Sequence, residues 1–211
     1  MPRYELAAFD FDGTLADTFP WFTGVLNEVA ARFGFEAIRD DEVETLRGAD
    51  TQAILRRLAI PMWKMPMIAA HMRTLAAQQI DRVRLFPDAA RMLHELHAGG
   101  VRLAVVSSNA VETIQRVLGP ETTALVAQFE CGASIFGKPP KLRKVLRRCG
   151  IPPERAIYVG DEIRDADAAK AVGMAFGAVS WGYNRVDALA ARGPQEIFGS
   201  FDELVAKIAG A

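Results

Sequence analysis

Asp10 and Asp12 stand two residues apart in Phe9-Asp10-Phe11-Asp12-Gly13-Thr14-Leu15, directly after the apolar run Leu6, Ala7, Ala8, Phe9. That run has the composition of a short buried strand, and Gly13 and Thr14 break it. Carboxylates crowded at a strand end repel one another, and a divalent cation or a reacting group offsets the repulsion. The pair therefore marks a site of metal-assisted chemistry. Three further groups could join it. Ser107-Ser108-Asn109 offers hydroxyls and an amide, Gly160-Asp161-Glu162 with Asp165 one turn on offers carboxylates, and Lys138 offers a positive point charge. Carboxylates hold a hard cation such as Mg2+. Hydroxyls and backbone N–H groups at a helix start bind phosphate oxygens. The inventory suits a phosphoryl group handled with a magnesium ion.

These groups need a frame that brings them together. Five apolar runs have strand character: Tyr4–Phe9, Arg102–Val106, Ala124–Phe129, Ala156–Val159 and Ala175–Ser180. Helical patterns separate the last four. One opens at Pro87-Asp88, carries Leu93, Leu96 and His97 on its apolar side and closes at Gly99-Gly100; the others are Val111–Leu118, Lys141–Arg148 and Arg164–Val172. Alternating helices and continuously apolar strands predict an α/β fold, a parallel sheet core with helices on both faces. Ligands bind at the carboxyl ends of such strands, which is where the acidic and hydroxyl groups fall.

The stretch from Leu15 to about Pro87 breaks the rhythm. Trp21, Phe22, Val25, Leu26, Val29 and Phe33 recur at helical spacing, as do Ile54, Leu55 and Leu58, then Met62, Met65, Ile68, Met72 and Leu75. These are expected to be the packed faces of three or four helices, forming an inserted all-helical cap domain over 17–84, with the core at 1–16 and 85–211. An insert placed directly after the acidic loop would lie over it as a lid.

Composition bounds the function. A chain of 211 residues can form one core with a small insert, and 50% hydrophobic with 24% charged residues is ordinary for a globular protein. A net charge of −1 gives no support to nucleic-acid or anionic-membrane binding. Cys131 and Cys149 lack metal-ligand spacing, so a reduced, cytoplasmic protein is expected. No signal peptide is expected, because the chain enters the Asp10 strand almost at once, and no apolar run approaches the roughly 18 residues of a membrane span. His71, His94 and His97 fall on helical patterns away from the motifs and are expected to be structural or exposed. Residues 132–138 match the phosphate-loop pattern G-x-x-x-x-G-K, but Pro139 follows where that loop needs a Ser or Thr hydroxyl.

The motifs Asp10-Phe-Asp12-Gly13-Thr14, Ser107-Ser-Asn109, Lys138-Pro139 and Gly160-Asp161-Glu-x-x-Asp165 resemble those of the haloacid dehalogenase-like superfamily, in that family's order. The resemblance covers the whole chain, with Ala16 to about Arg84 similar to the helical cap of the phosphoglycolate-phosphatase-like branch. It implies a Rossmann-like core, a magnesium ion and a phosphoaspartate intermediate. Asp10 then resembles the nucleophile, which splits one hard hydrolysis into two easier steps. Asp12 resembles the general acid–base, with its backbone carbonyl on the metal. Ser107 and the adjoining Ser108 and Asn109 resemble the phosphate-binding group, with Asn109 orienting its neighbours. Lys138 resembles the charge-offsetting lysine, Asp161 a direct magnesium ligand, and Asp165 a ligand or its support. Glu162 takes no assigned role.

The implied activity is hydrolysis of a small phosphorylated metabolite. Dehalogenation fits poorly, because that branch lacks the second aspartate that Asp12 supplies. A phosphomutase with the same core and cap is the first alternative, and a non-catalytic phospho-switch on Asp10 the second. Arg47-Gly48-Ala49-Asp50-Thr51 resembles the family's specificity loop, and Arg47 could hold a second anionic group of the substrate.

Overall fold

A computed structural model describes residues 2–134 and 137–210. Six strands form one sheet: β1 (Leu6–Phe9), β2 (Arg102–Val106), β3 (Val126–Glu130), β4 (Ala156–Gly160), β5 (Ala175–Val179) and β6 (Glu196–Phe198). Their order is β3-β2-β1-β4-β5-β6 and every pair is parallel. The order reverses at β1, so β2 and β4 flank it, and the crevice at that switch point is where such sheets bind ligands.

Both faces of the sheet are covered, which explains why the strands are apolar without alternation. Ala7 and Phe9 point into a core with Met92, Leu93 and Leu96 of α5 (Ala89–Ala98), Ile114 of α6 (Val111–Leu125) and Leu204 of α10 (Phe201–Ala209). Leu6 and Ala8 point the other way, into a core with Leu142 and Val145 of α7 (Pro139–Cys149), Ala169 of α8 (Ile163–Val172) and Leu189 of α9 (Val186–Ala190). The chain between β1 and α5 is helical: α1 (Phe19–Phe33), α2 (Val43–Arg47), α3 (Thr51–Arg57) and α4 (Met65–Gln78), with short 3-10 turns before α2, before α4 and after α4.

Four local expectations need correction. The sheet has a sixth strand, β6, whose three residues are too few for a periodic signal. The third strand begins at Val126 rather than Ala124, because α6 kinks at Gly119 and Pro120 and then continues to Leu125. His97 is exposed; the buried stripe of α5 is Ala89, Met92, Leu93 and Leu96. Met62 is 70% exposed, because it lies in the turn before α4 and not on that helix's inner face. Cys131 and Cys149 are free thiols. Among the described residues no helix is long and apolar enough to cross a membrane. The phosphate-loop look-alike includes Ile135 and Phe136, which lie outside the described residues; Lys138 at its end is the cap of α7, and Pro139 opens that helix.

Candidate active site

Asp10 and Asp161 follow β1 and β4, two paired strands, so the two carboxylates come side by side at one sheet edge. The Asp10 N–H still donates to the Val159 carbonyl at 2.9 Å, which fixes its backbone to the ladder. Asp165 lies in the first turn of α8, where its carboxylate accepts the Glu162 N–H at 3.2 Å in a capping box. Asp10, Asp161 and Asp165 each present an oxygen within 4.8 Å of the others, and all three are buried.

Lys138 bridges two of them. Its ammonium lies 2.6 Å from Asp10 Oδ2 and 2.6 Å from Asp165 Oδ1, and the residue is itself buried. Burial opposes its charge, yet the Asp10 and Asp165 carboxylates raise its pKa above the ordinary lysine value. One ammonium does not balance three carboxylates. Burial, with Asp165 and Asp12 adding to it, pushes Asp10 up to about 7 against the pull of Lys138. Burial, then the charges of Glu162, Asp10 and Asp165, pushes Asp161 well above the usual carboxylate range.

Asp12 turns elsewhere. Its two carboxylate oxygens accept from Asn109 Nδ2 at 3.1 and 2.8 Å. Burial raises its pKa and the Asn109 hydrogen bond lowers it, with the rise prevailing. Ser107 is buried at the end of β2, and its Oγ accepts the Asn109 N–H at 3.1 Å, which leaves the hydroxyl proton to donate. Lys141 Nζ donates to the Ser107 carbonyl at 2.6 Å and ties α7 to this loop. Ser108 is exposed and lines a cavity of about 270 Å³ with Lys138, Lys141 and Arg164.

The loop after β5 belongs to none of the sequence motifs, yet it helps build the site. Thr14 Oγ1 donates to Asp161 Oδ1 at 2.8 Å, and the Tyr183 N–H donates to Asp161 Oδ2 at 2.7 Å, so both oxygens are held. The fit is close: a Cβ on Gly182 would lie 2.1 Å from the Asp161 Cβ, and one on Gly13, at φ +70°, would lie 2.2 Å from Asp161 Oδ2. Trp181-Gly182-Tyr183-Asn184 after an apolar run was the available signal. Tyr158 also lies outside the motifs; its hydroxyl donates to Asp165 Oδ1 at 3.3 Å from within β4.

Arg47, singled out as a possible anion holder, is engaged in this same loop. Its Nε and Nη2 donate to the Tyr183 and Gly182 carbonyls at 3.0 and 2.9 Å, its Nη1 lies 2.8 Å from Glu44, and its guanidinium sits over Phe19. Asn184 Nδ2 donates in return to the Arg47 and Ala49 carbonyls. Gly48, between them, is exposed. The helical stretch is thus pinned to the loop that holds Asp161.

The three-carboxylate cluster fits a resident Mg2+. The donors are all hard oxygens, they converge, and the excess negative charge that raises Asp10 and Asp161 is what a bound dication would relieve. Asp12 is not among the three.

The family model described as haloacid dehalogenase-like hydrolase matches residues 7–179. A phosphoglycolate phosphatase from Synechococcus elongatus is 30% identical over 198 residues, 93% of each chain. The tyrosine-protein kinase PtkA from Mycobacterium tuberculosis is 30% identical over 189 residues, 87% of this chain and 64% of its own. The solved structure of a CbbY variant from Rhodobacter sphaeroides in complex with xylulose-1,5-bisphosphate superposes with a TM-score of 0.75 at 25% identity, covering 97% of this chain and 99% of that one.

Proposed function

The chain belongs to the haloacid dehalogenase-like hydrolase family, and from that premise we propose that it is a magnesium-dependent phosphatase that hydrolyses small phosphomonoesters through a phosphoaspartate on Asp10. The observation that carries this reading is the buried Asp10–Asp161–Asp165 cluster bridged by Lys138, with Asp12 held beside it by Asn109. The phosphoglycolate phosphatase similarity along nearly the whole chain supports the phosphatase class.

Asp10 is the nucleophile. The Phe11 N–H at 2.8 Å and Lys138 at 2.6 Å hold its two oxygens, so its approach to phosphorus is set by the backbone and one ion pair. Asp12 protonates the leaving alkoxide; burial raises its pKa, the direction that favours a proton donor, and Asn109 fixes the carboxyl for transfer. Once Asp12 has given up its proton it takes one from the water that cleaves the phosphoaspartate. Lys138 and the Ser107 hydroxyl balance charge on the phosphoryl oxygens, and Ser108 and Asn109 complete the phosphate-binding loop. Asp10, Asp161, Asp165 and the Asp12 backbone carbonyl would hold Mg2+, which when bound offsets carboxylate charge and withdraws charge from the phosphoryl group. Residues 17–84 act as a cap over this edge, with core at 1–16 and 85–211. A positioned acid–base favours turnover, which weighs against a stable phospho-switch.

The test is a panel of phosphorylated metabolites, 2-phosphoglycolate included, assayed with and without Mg2+, together with trapping of the acyl phosphate. Release of inorganic phosphate with a hydroxylamine-labile phosphoenzyme is expected. Transfer to a second hydroxyl of the same sugar in place of release would identify a phosphomutase.

A further inference from the structure

The helical stretch encloses a cavity of about 310 Å³ that the chemistry above does not use. Its walls are mainly apolar side chains of α1 to α4, among them Phe22, Leu46, Ile54 and Met72. Volume and lining fall within the range of small-molecule sites. Its polar side is formed by Glu162, Arg164, Tyr183 and Asn184, which flank Asp161 and Asp165. Arg164 also lines the basic cavity that contains Ser108 and Lys138. The apolar cavity therefore begins at the catalytic edge.

The charges at its mouth are already paired. Arg47 and Arg164 are the cations among the described residues that line it. Arg47 is spent on Glu44 and two backbone carbonyls, and Arg164 lies 2.5 Å from Glu162. A carboxylate or second phosphate entering this space would have to compete with Glu44, Glu162 and two backbone carbonyls for these guanidinium groups, and would otherwise lie against apolar wall. An apolar group meets no such cost and covers apolar wall.

We propose that the alcohol portion of the substrate is neutral and apolar, and that it seats in this cavity while the phosphoryl group lies at Asp10. The proposal rests on the phosphatase reading for the place of the phosphoryl group. It assigns the cap a substrate class, phosphomonoesters of alkyl or aryl alcohols, distinct from compounds that carry a second anion. The exposed Met62, Trp63 and Met67 lie outside the cavity lining and have no part in it.

Alkylphosphonates test it without turnover. Methylphosphonate and hexylphosphonate are titrated calorimetrically into the full chain with Mg2+. The longer compound is expected to bind at least about tenfold tighter, since each buried methylene contributes roughly a threefold gain. Ala69→Phe fills the cavity from α4, and Ala69→Leu fills it less. In either variant, once circular dichroism shows it folded, the hexyl-to-methyl ratio is expected to fall towards one. Equal affinity for the two phosphonates in the wild type overturns the proposal. So does a hexyl preference that survives the Ala69 variants, because the chain then sits elsewhere, as on the exposed Met62–Trp63 surface. Should neither variant fold, the wild-type ratio decides. Failure of the phosphatase reading shows separately, as absent magnesium-dependent hydrolysis of p-nitrophenyl phosphate.

Discussion

The sheet core and the helical insertion differ in how tightly they are packed. Ala7, Ala8, Phe9, Val105, Val106, Ile157 and Val159 beside the carboxylates are fully buried. In the insertion α2 and α3 contain no buried residue, and α4 buries only Ile68. A close-packed sheet has few alternative arrangements, so it can hold three like charges within 4.8 Å of one another and keep them there. A loosely filled helical layer around a cavity can adjust to what enters. In the reading proposed above, chemistry sits on the first region and selection on the second; the two regions meet where Arg47 and Ala49 bond to Gly182, Tyr183 and Asn184.

The largest expected effect falls on the core. Asp10→Asn should lower turnover on the order of 10³-fold or more while the protein stays folded, because the amide keeps the shape and loses the nucleophilic charge. Wild-type phosphate release by a contamination-free Asp10→Asn variant would remove Asp10 from the chemistry. Chelation should have a comparable effect that added Mg2+ reverses, with Ca2+ a poor substitute because its longer, looser coordination misplaces the carboxylates. Undiminished hydrolysis in excess chelator would break the metal assignment.

Asp12→Ala should cost about 10²–10⁴-fold on an alkyl phosphate and clearly less on p-nitrophenyl phosphate, whose leaving group needs little protonation. Equal losses on the two compounds would take the general-acid role from Asp12.

A smaller effect concerns stability and pH. The Asp10 carboxyl titrates near 7 in the folded, metal-free protein because burial outweighs Lys138, against about 4 when unfolded. The folded state then holds a proton that the unfolded state releases. Its contribution is intact below about pH 4 and is lost as pH rises through about 7. Denaturant melts of the metal-free protein should show Asp10→Asn gaining roughly 1–3 kcal/mol over wild type between pH 5 and pH 8. A constant difference across that range would mean that Lys138 fully compensates the charge.

The smallest effect sharpens the boundary between the regions. Arg47→Ala removes two hydrogen bonds to the Gly182 and Tyr183 carbonyls, a loss of roughly 1–3 kcal/mol in holding the insertion on the core. Similar fractional losses in kcat/KM on p-nitrophenyl phosphate and on an alkyl phosphate are expected, since both need the same Asp161 loop. A loss confined to a substrate with a second anion would instead make Arg47 the anion holder suggested by its loop.

Much of this was legible in the chain. Asp10, Asp12, Asp161 and Asp165 stand out because charge at a strand end contradicts the apolar run before it, and four of the strands lie where continuous apolar residues predict them. The third begins two residues later than predicted, since a helix restarting after Pro120 has the same residue types as a strand beginning at Ala124. β6 escaped notice because three residues carry no period. Asp12's separation from the other three carboxylates also has no local signal, since it follows from where Asn109, ninety-seven positions away in the chain, comes to lie.

Hydrophobic periodicity and strand-end polarity are local properties, so the parallel α/β class, the helical insertion after the acidic loop and the residue types gathered at one edge can be read from the chain alone. Which groups are already satisfied depends on contacts between segments distant in the chain. Arg47 is an arginine in a loop until the fold brings Gly182 and Tyr183 to it from beyond β5. Lys138 is an ordinary lysine until β1 and α8 place two carboxylates 2.6 Å from it. The cavity, likewise, is written in no segment, since it is the space left where four helices meet one another and the loops of the core without filling it.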